Sequence, residues 1–518
     1  MPAPGVFREY DNSAAPIQAG QGNIKVVLLG ESTDAASLNA DNALPFIGAD
    51  DALERIIGRR SSSLVAYETL EMIFDIGRAG AYFGRIIGTG GVKAQTAVIN
   101  DIQGSPLPSI RGTWRGVGVN GDRFRLEVAR GRLSTSDTGA GRVDTKLSLV
   151  EIATGRVVFT LDNLVMDANA ENYAINTWNA SGMPMVLTDQ TPADSYDNLD
   201  EPAVGSYAFT TGADPIAATT TERQLAVDKL AAIAETQGAR IGVYSWPAAD
   251  VQYLMGKARD MSWKVVAHLA DGTTSTAAAT FSAAISSALE RGFVTWGWGK
   301  PARYPTKRIP GIGQVLAMMI VGARRAAGLS VNDIGANEAV DAWVEFDPLL
   351  ESDRQAFSNA RVNPLRTKAN RYQNGVVLGD VQSLSTDPRY DQIGKTAGED
   401  LIVQDIVEWL EANVLLNQDY PIQAKVAGQN TDLTNASLSS IDLRIVELMT
   451  TRYPVTLFDR ARGVGWDWRG DITTASSPDW VFGLGLDIAG VGRIAYVKVG
   501  RVQGRFAVID RQQTIGGV

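Results

Sequence analysis

Few residues in this chain could carry chemistry. One histidine, His268, stands in SWKVVAHLADG, and there is no cysteine. Without cysteine there are no thiolate nucleophiles, disulfides or Cys-based zinc or iron–sulfur sites, and a single imidazole rules out multi-histidine metal sites. A Ser-His-Asp arrangement would have to be built on His268 alone. Its neighbours read as a strand, so a half-buried structural imidazole is expected there. GVGVNG (Gly116 to Gly121) satisfies G-x-G-x-x-G, but a dinucleotide site needs that loop between a buried strand and a helix. Here the segment that follows, DRFRLEV, alternates like another strand, so no nucleotide is expected. GKT at Gly394 to Thr396 resembles the end of a phosphate-binding loop, yet Arg389 stands where the earlier glycine is required. The acidic pairs Asp50–Asp51 and Glu399–Asp400 are read as solvated loop or helix-start residues, since nothing brings two distant carboxylates to a glycosidase-like separation. Trp296 and Trp298 in TWGWGKPARYP are read as one strand's same-side pair, packing in a core or subunit interface rather than forming a sugar or base platform. No catalytic, cofactor or metal residue is assigned, and the chain is not read as an enzyme.

The elements around these residues describe a large α/β protein. At 518 residues the chain suffices for three or four domains of about 100–200 residues each. A hydrophobic content of 45% with 20% charged residues is globular. The net charge of −10 argues against direct nucleic-acid binding, which calls for a basic stripe. The longest apolar stretch, around Val315 to Val321, is far short of the ~20 residues of a membrane span, and the N-terminus shows no signal-peptide pattern. A soluble protein made in the cytoplasm is expected.

IKVVLLGES (Ile24 to Ser32) has the form of a buried strand. From about Asn100 to Phe209 the texture shifts to short alternating runs separated by turn residues, such as FRLEVARG, KLSLVEI and GRVVFTL, which suggests an inserted β-rich module. Beyond Thr220 strands and helices alternate, implying a largely parallel sheet covered by helices. In TTERQLAVDKLAAIAETQG, Leu225, Leu230, Ile233 and Ala234 are placed on one helical face. Ile402, Ile406, Leu410 and Val414, and then Leu438, Ile441, Ile445 and Leu448, mark two amphipathic helices.

The two ends stand apart. MPAPGVFREYDNSAAPIQAG holds three prolines, Pro2, Pro4 and Pro16, which favour extended backbone. RIAYVKVGRVQGRFAVIDRQQTIGGV is strand–turn–strand in composition, and from Ile494 onward Lys498, Arg501, Arg505 and Arg511 face the single acid Asp510. An isolated extended arm cannot pair its own backbone donors and acceptors, so it needs a sheet edge to join. A basic ribbon on an acidic subunit would dock favourably on a neighbouring copy.

Several segments, in order, resemble the tail sheath proteins of contractile-tailed bacteriophages and related contractile injection systems. PGVF followed by REYDNSAAPI is similar to the sheath N-terminal arm, and IRGTWRGVGV (Ile110 to Val119) resembles the family's PGTWGN segment. ENYAINTWNASG (Glu171 to Gly182) and FVTWGWGKPARYPTKRIPGIGQVLAMM (Phe293 to Met319) also have sheath counterparts. The longest match is FSNARVNPLRTKANRYQNGVVLGDVQSLSTDPRYDQIGKTAGEDLIVQDIVEWL (Phe357 to Leu410).

The resemblance implies a structural subunit in a virion, assembled in the host cytoplasm. Its implied partners are identical sheath subunits joined by β-strand addition, the tail tube protein, and baseplate and tail terminator proteins. The expected organisation is a multidomain α/β protein with an inserted β-rich domain and extended N- and C-terminal β-arms. The linker arms are placed at 1–23 and 494–518, and an α/β sheath domain at 24–100 with 210–380. The outward-facing β-rich domain is placed at 101–209, and a tube-facing core domain at 381–493. The arm residues expected to join neighbours are Pro4, Gly5, Val6, Phe7, Ile494, Tyr496, Lys498, Arg501, Arg505, Phe506 and Val508. Another self-assembling virion protein, such as a capsid or tube subunit, and an α/β hydrolase remain the alternatives. A two-component sheath of the type VI secretion kind fits less well, because one chain carries all the sheath-like segments.

Overall fold

A computed structural model of the chain describes residues 24–135, 141, 143–191, 197–326, 339–369, 374–388, 390–396, 400, 402, 406, 443, 445–451, 466–472, 480–486, 497–502 and 505–510. The chain divides into two compact units, one of Lys25–Thr236 with Ile241–Tyr244, the other of Gln237–Arg240 with the chain from Ser245 onward.

The first unit opens with β1 (Val26–Gly30), whose five residues VVLLG are all buried, as expected of a strand covered on both faces. With β2 (Phe46–Ile47), β3 (Ala81–Arg85) and β12 (Arg240–Tyr244) it lies in the order β12-β1-β3-β2. β1 and β3 run parallel, Val27 opposite Tyr82, and β2 turns antiparallel to β3. Two short helices, α1 (Leu38–Asp41) and α2 (Leu53–Ile57), precede α3 (Ala66–Gly77). α3 buries Leu70, Ile73, Phe74 and Gly77 at three- and four-residue spacing, and ends at Arg78 in the left-handed region (φ 48).

Between Lys93 and Ala208 the same unit becomes antiparallel. β4 (Lys93–Gln95), β5 (Ile99–Asn100), β6 (Pro108–Val117) and β10 (Met185–Asp189) form one sheet, in which β6 pairs with each of the others. β7 (Phe124–Arg130), β8 (Thr145–Glu151), β9 (Val157–Leu164) and β11 (Gly205–Ala208) form another in the order β11-β7-β8-β9. With α4 (Ala174–Ala180) they enclose Trp114, Leu126, Leu147, Trp178 and Phe209. Trp114 stacks on Phe124 at 4.8 Å and meets Phe209 edge-on at 5.8 Å.

α5 (Thr220–Ala231) starts at a capping box of Thr219 and Glu222. Its buried residues are Ala226, Val227 and Leu230, whereas Leu225 is 42% exposed. Of the face placed on Leu225, Leu230, Ile233 and Ala234, only Leu230 is buried on α5 as expected. Leu225 lies about 100° behind Ala226 around the axis, and the α-helix stops before Ile233.

The second unit carries the alternating pattern. β13 (Lys264–His268), β14 (Gly292–Trp296), β18 (Val362–Ala369) and β19 (Asn374–Leu378) lie in the order β13-β14-β18-β19, parallel across the first two pairings and antiparallel at the last. α6 (Ala248–Ala258) and α8 (Ile312–Ala326) pack on β13; α7 (Ser275–Ala283) and α9 (Glu351–Asn359) pack on β18. A small antiparallel sheet joins β15 (Trp298–Pro301) to β16 (Ile309–Pro310) and β17 (Trp343–Phe346). Ile402 and Ile406 are helical and buried, as are Ile445 and Met449; Leu410, Val414, Leu438 and Ile441 lie outside the described residues. Further on come two antiparallel pairs, β20 (Trp466–Ile472) with β21 (Trp480–Leu486), and β22 (Val497–Val502) with β23 (Arg505–Asp510). Among the described residues no helix is long and apolar enough to cross a membrane.

Candidate functional site

His268 ends β13 and is 2% exposed, more deeply buried than the half-buried position expected. Its Nε2 lies 2.9 Å from the Gly297 carbonyl, which can only accept, so Nε2 carries the proton. Nδ1 therefore accepts from the Thr295 hydroxyl at 2.8 Å. Burial pushes its pKa from the ordinary 6.5 down to about 3. With both nitrogens held, the ring is a neutral structural group and has no nitrogen left to act as a base. The unfolded chain binds a proton on His268 below pH 6.5 and the folded chain does not until about 3. Stability should thus fall with falling pH across that window, by about 1.4 kcal/mol per unit from this group. Denaturant titrations of wild type and His268→Gln between pH 6.5 and 4 should differ by that slope; parallel curves would contradict it.

The tryptophan pair does not lie along one strand. Gly297, at φ 126, separates β14 from β15, so Trp296 ends one and Trp298 begins the other. Both indoles are buried and donate to the loop after β13, Trp296 to the Thr273 carbonyl and Trp298 to that of Leu269, each at 2.9 Å. They are core and loop anchors.

GVGVNG is a seat for a carboxylate of the protein itself. Asp34, 5% exposed, accepts from Trp114 Nε1 and Asn120 Nδ2, each at 2.7 Å, and from the Ala35 amide at 2.9 Å. Burial nevertheless holds its pKa above the usual aspartate value. A Cβ on Gly116 would fall 1.7 Å from Asp34 Oδ1. Gly118 takes φ 125 beside Asp214, whose carboxylate accepts the Val119 amide at 3.1 Å. Arg85 completes the junction by donating to the carbonyls of Ala35 and Val117, each at 2.9 Å. The glycines are spaced to admit Asp34 and a turn. Gly116→Ala should therefore cost about 1–3 kcal/mol, read as a lowered denaturation midpoint; an unchanged midpoint would contradict this packing.

Asp400 corrects the reading of Glu399–Asp400 as a solvated pair. It is 3% exposed. Its carboxylate receives Lys264 Nζ at 2.8 Å and both terminal nitrogens of Arg291 at 3.2 Å. Burial raises its pKa, but Arg291 and Lys264 together bring it below the ordinary 3.8. Glu399 lies outside the described residues, and Asp50 and Asp51 are exposed as expected. The signal for the triad was the presence of Lys264 and Arg291 at the mouths of otherwise apolar strands.

With this geometry established, the fold was compared with known structures. The sheath tail protein Lin1278 from Listeria innocua matches with a TM-score of 0.53 at 14% identity, over 90% of this chain and 95% of that one. The chain has the fold of a sheath tail protein. The contracted helical sheath of the anti-feeding prophage aligns at 0.48 and 11% identity, over 97% of this chain and 99% of that one. The contracted sheath complex of PVC, an extracellular contractile injection system, aligns at 0.47 and 10%, over 97% and 98%. Both fall below 0.5 and add no weight. No protein-family model and no curated protein matches the chain.

On this sheath fold, the arm residues divide. Pro4, Gly5, Val6, Phe7, Ile494 and Tyr496 lie outside the described residues. Lys498 and Arg501 lie on β22, and Arg505, Phe506 and Val508 on β23, with Arg501 opposite Phe506 and Val499 opposite Val508.

Proposed function

We propose that this chain is the structural subunit of a contractile tail sheath, polymerising around a tail tube and shortening to drive the tube through a cell envelope. The observation that carries this reading is the match to a sheath tail protein over nearly the whole length of both chains. The structural role of His268 agrees with a protein that works by assembly.

In this reading 1–23 and 494–518 are linker arms that add strands to neighbouring copies, with Pro4 to Phe7 and the β22–β23 hairpin as contacts. The antiparallel pair β22–β23 satisfies one backbone edge of each strand, and among the described residues no third strand joins it. Each added hydrogen bond nets only about 0.5–1.5 kcal/mol, but several per arm make a durable mesh. Segment 101–209 would face outward and 381–493 the tube. Besides identical copies, the tube, baseplate and terminator proteins are its partners, and the assembled particle is its location. The chain should co-sediment with a tail-tube polymer at stoichiometric ratio; a chain left in the supernatant at every salt concentration would count against the proposal.

A further inference from the structure

Within the first unit, the β-rich part is joined to the α/β layer by two passages of chain, one entering after β3 and one leaving after β11. These connectors pair with each other. The Val92 amide donates to the Ala213 carbonyl at 2.9 Å, the Ala213 amide to that of Val92 at 3.1 Å, and the Ile216 amide to that of Thr89 at 2.9 Å. The entering connector reads GTGG (Gly88 to Gly91), with Gly90 at φ 81. A Cβ on Gly88 would fall 1.8 Å from the Ile216 carbonyl oxygen, so the two passages run in close contact. The described core residues of the β-rich part all fall between Ala94 and Phe209, so it packs around a centre of its own. A body with its own core on a narrow glycine-bearing connection has the construction of a hinge.

Beside the connectors, side-chain hydrogen bonds close a ring across the same boundary. Glu151, at the end of β8 with 3% side-chain exposure, receives Arg59 from the loop after α2 and Arg123 from the turn before β7, both on Oε1. Its other oxygen accepts from the Thr154 hydroxyl at 2.7 Å. Arg123 Nη1 donates to Asn120 Oδ1 at 2.8 Å, and Asn120 Nδ2 to Asp34 Oδ2 at 2.7 Å. On the layer side, the Asp34 amide donates to the Ile57 carbonyl at 3.1 Å and the Thr33 hydroxyl to the Arg59 carbonyl at 2.7 Å, which returns the ring to its start.

We infer that this ring is a latch: it fixes the angle of the β-rich part about its paired connectors, and opening it lets that part swing as a folded body. Apolar contact is non-directional and tolerates sliding, whereas charge-assisted hydrogen bonds hold one geometry. Glu151 is the keystone, because the cations of layer and β-rich part meet on one of its oxygens. The latch does not rest on the sheath reading.

The chain has no cysteine, so a pair of introduced cysteines can be spin-labelled without competition. Asp75→Cys on α3 and Ala129→Cys on β7 are exposed and lie on opposite sides of the boundary. Pulsed electron–electron double resonance on the full chain should give one narrow distance distribution. With Glu151→Ala or Arg59→Ala added, its width should at least double, while thermal melts show the chain folded. Arg59, with a side chain 47% exposed, provides the test should Glu151→Ala fail to fold. Arg125→Ala is the control, since it breaks the Arg125–Glu127 pair within β7 and leaves the ring intact; its distribution should stay narrow. A broad distribution before any latch residue is changed, a folded Arg59→Ala or Glu151→Ala of unchanged width, or equal broadening by Arg125→Ala would each overturn the latch.

Discussion

Deleting residues 1–19, or residues 493–518, is expected to abolish polymerisation while leaving the body of the protein folded. The reason is effective concentration: a copy held by one arm presents its other contacts to the neighbour intramolecularly, which raises avidity by about 10²–10⁴ without new contacts. Losing either arm breaks that chain of links at every subunit. The body should survive, because the strands and helices that bury Leu28, Trp114, Val265 and Phe293 lie outside both deleted segments. Sedimented polymer and the thermal melt are the two readouts. A melt like wild type with polymer below a tenth of the wild-type yield is the expected pair; equal polymer yield from either truncation would sink the arm assignment.

The second large effect belongs to Asp400. Asp400→Asn removes the charge of the carboxylate that Lys264 and Arg291 share, at side-chain exposures of 4% and 5% for the two cations. Breaking a buried ion pair from one side costs about 3–5 kcal/mol, whereas replacing the whole cluster with apolar residues of similar volume is often neutral. Asp400→Asn should therefore lower stability by about that amount, and Lys264→Met/Arg291→Met/Asp400→Leu should recover most of it. The acid limb follows with a definite sign. Because the folded carboxyl titrates below the ordinary 3.8, its contribution is complete above that value and is lost as pH falls through the folded pKa. Between pH 6.5 and 4 the His268 contribution, read as the difference from His268→Gln, should persist in Asp400→Asn; below pH 4 the Asp400 variant should lose less further stability than wild type. Denaturant midpoints across pH 3–7 check both limbs, and a variant as stable as wild type at pH 7 would contradict the triad's role.

The sequence showed most where periodicity is strong. VVLLG, KVVAH and FVTW are continuous apolar runs, and they became the buried strands β1, β13 and β14, the last two paired in parallel. FRLEVAR, TKLSLVE and VVFTLDNL alternate, and they became the antiparallel strands β7, β8 and β9. What failed was placement that depends on residues distant in the chain. Leu225 looked like a core residue by its type, but α5 buries the small face beside it. Trp296 and Trp298 looked like one strand because the left-handed turn at Gly297 is invisible until β15 is seen to leave the sheet. Asp400 looked like a surface acid because its partners Lys264 and Arg291 stand more than a hundred residues earlier. The candidate arm site was readable only as composition, through its prolines at one end and its basic β-branched ribbon at the other. Strand addition depends on a partner's edge, which one chain's sequence does not contain.

The most direct test of the sheath assignment is to express the chain alone and image it by negative-stain electron microscopy. Long hollow cylinders with oblique striations are the expected result, wide enough to surround a separate tail tube. Closed shells, or narrow stacked rings with no room for an inner tube, would contradict the assignment and point instead to a capsid or tube subunit.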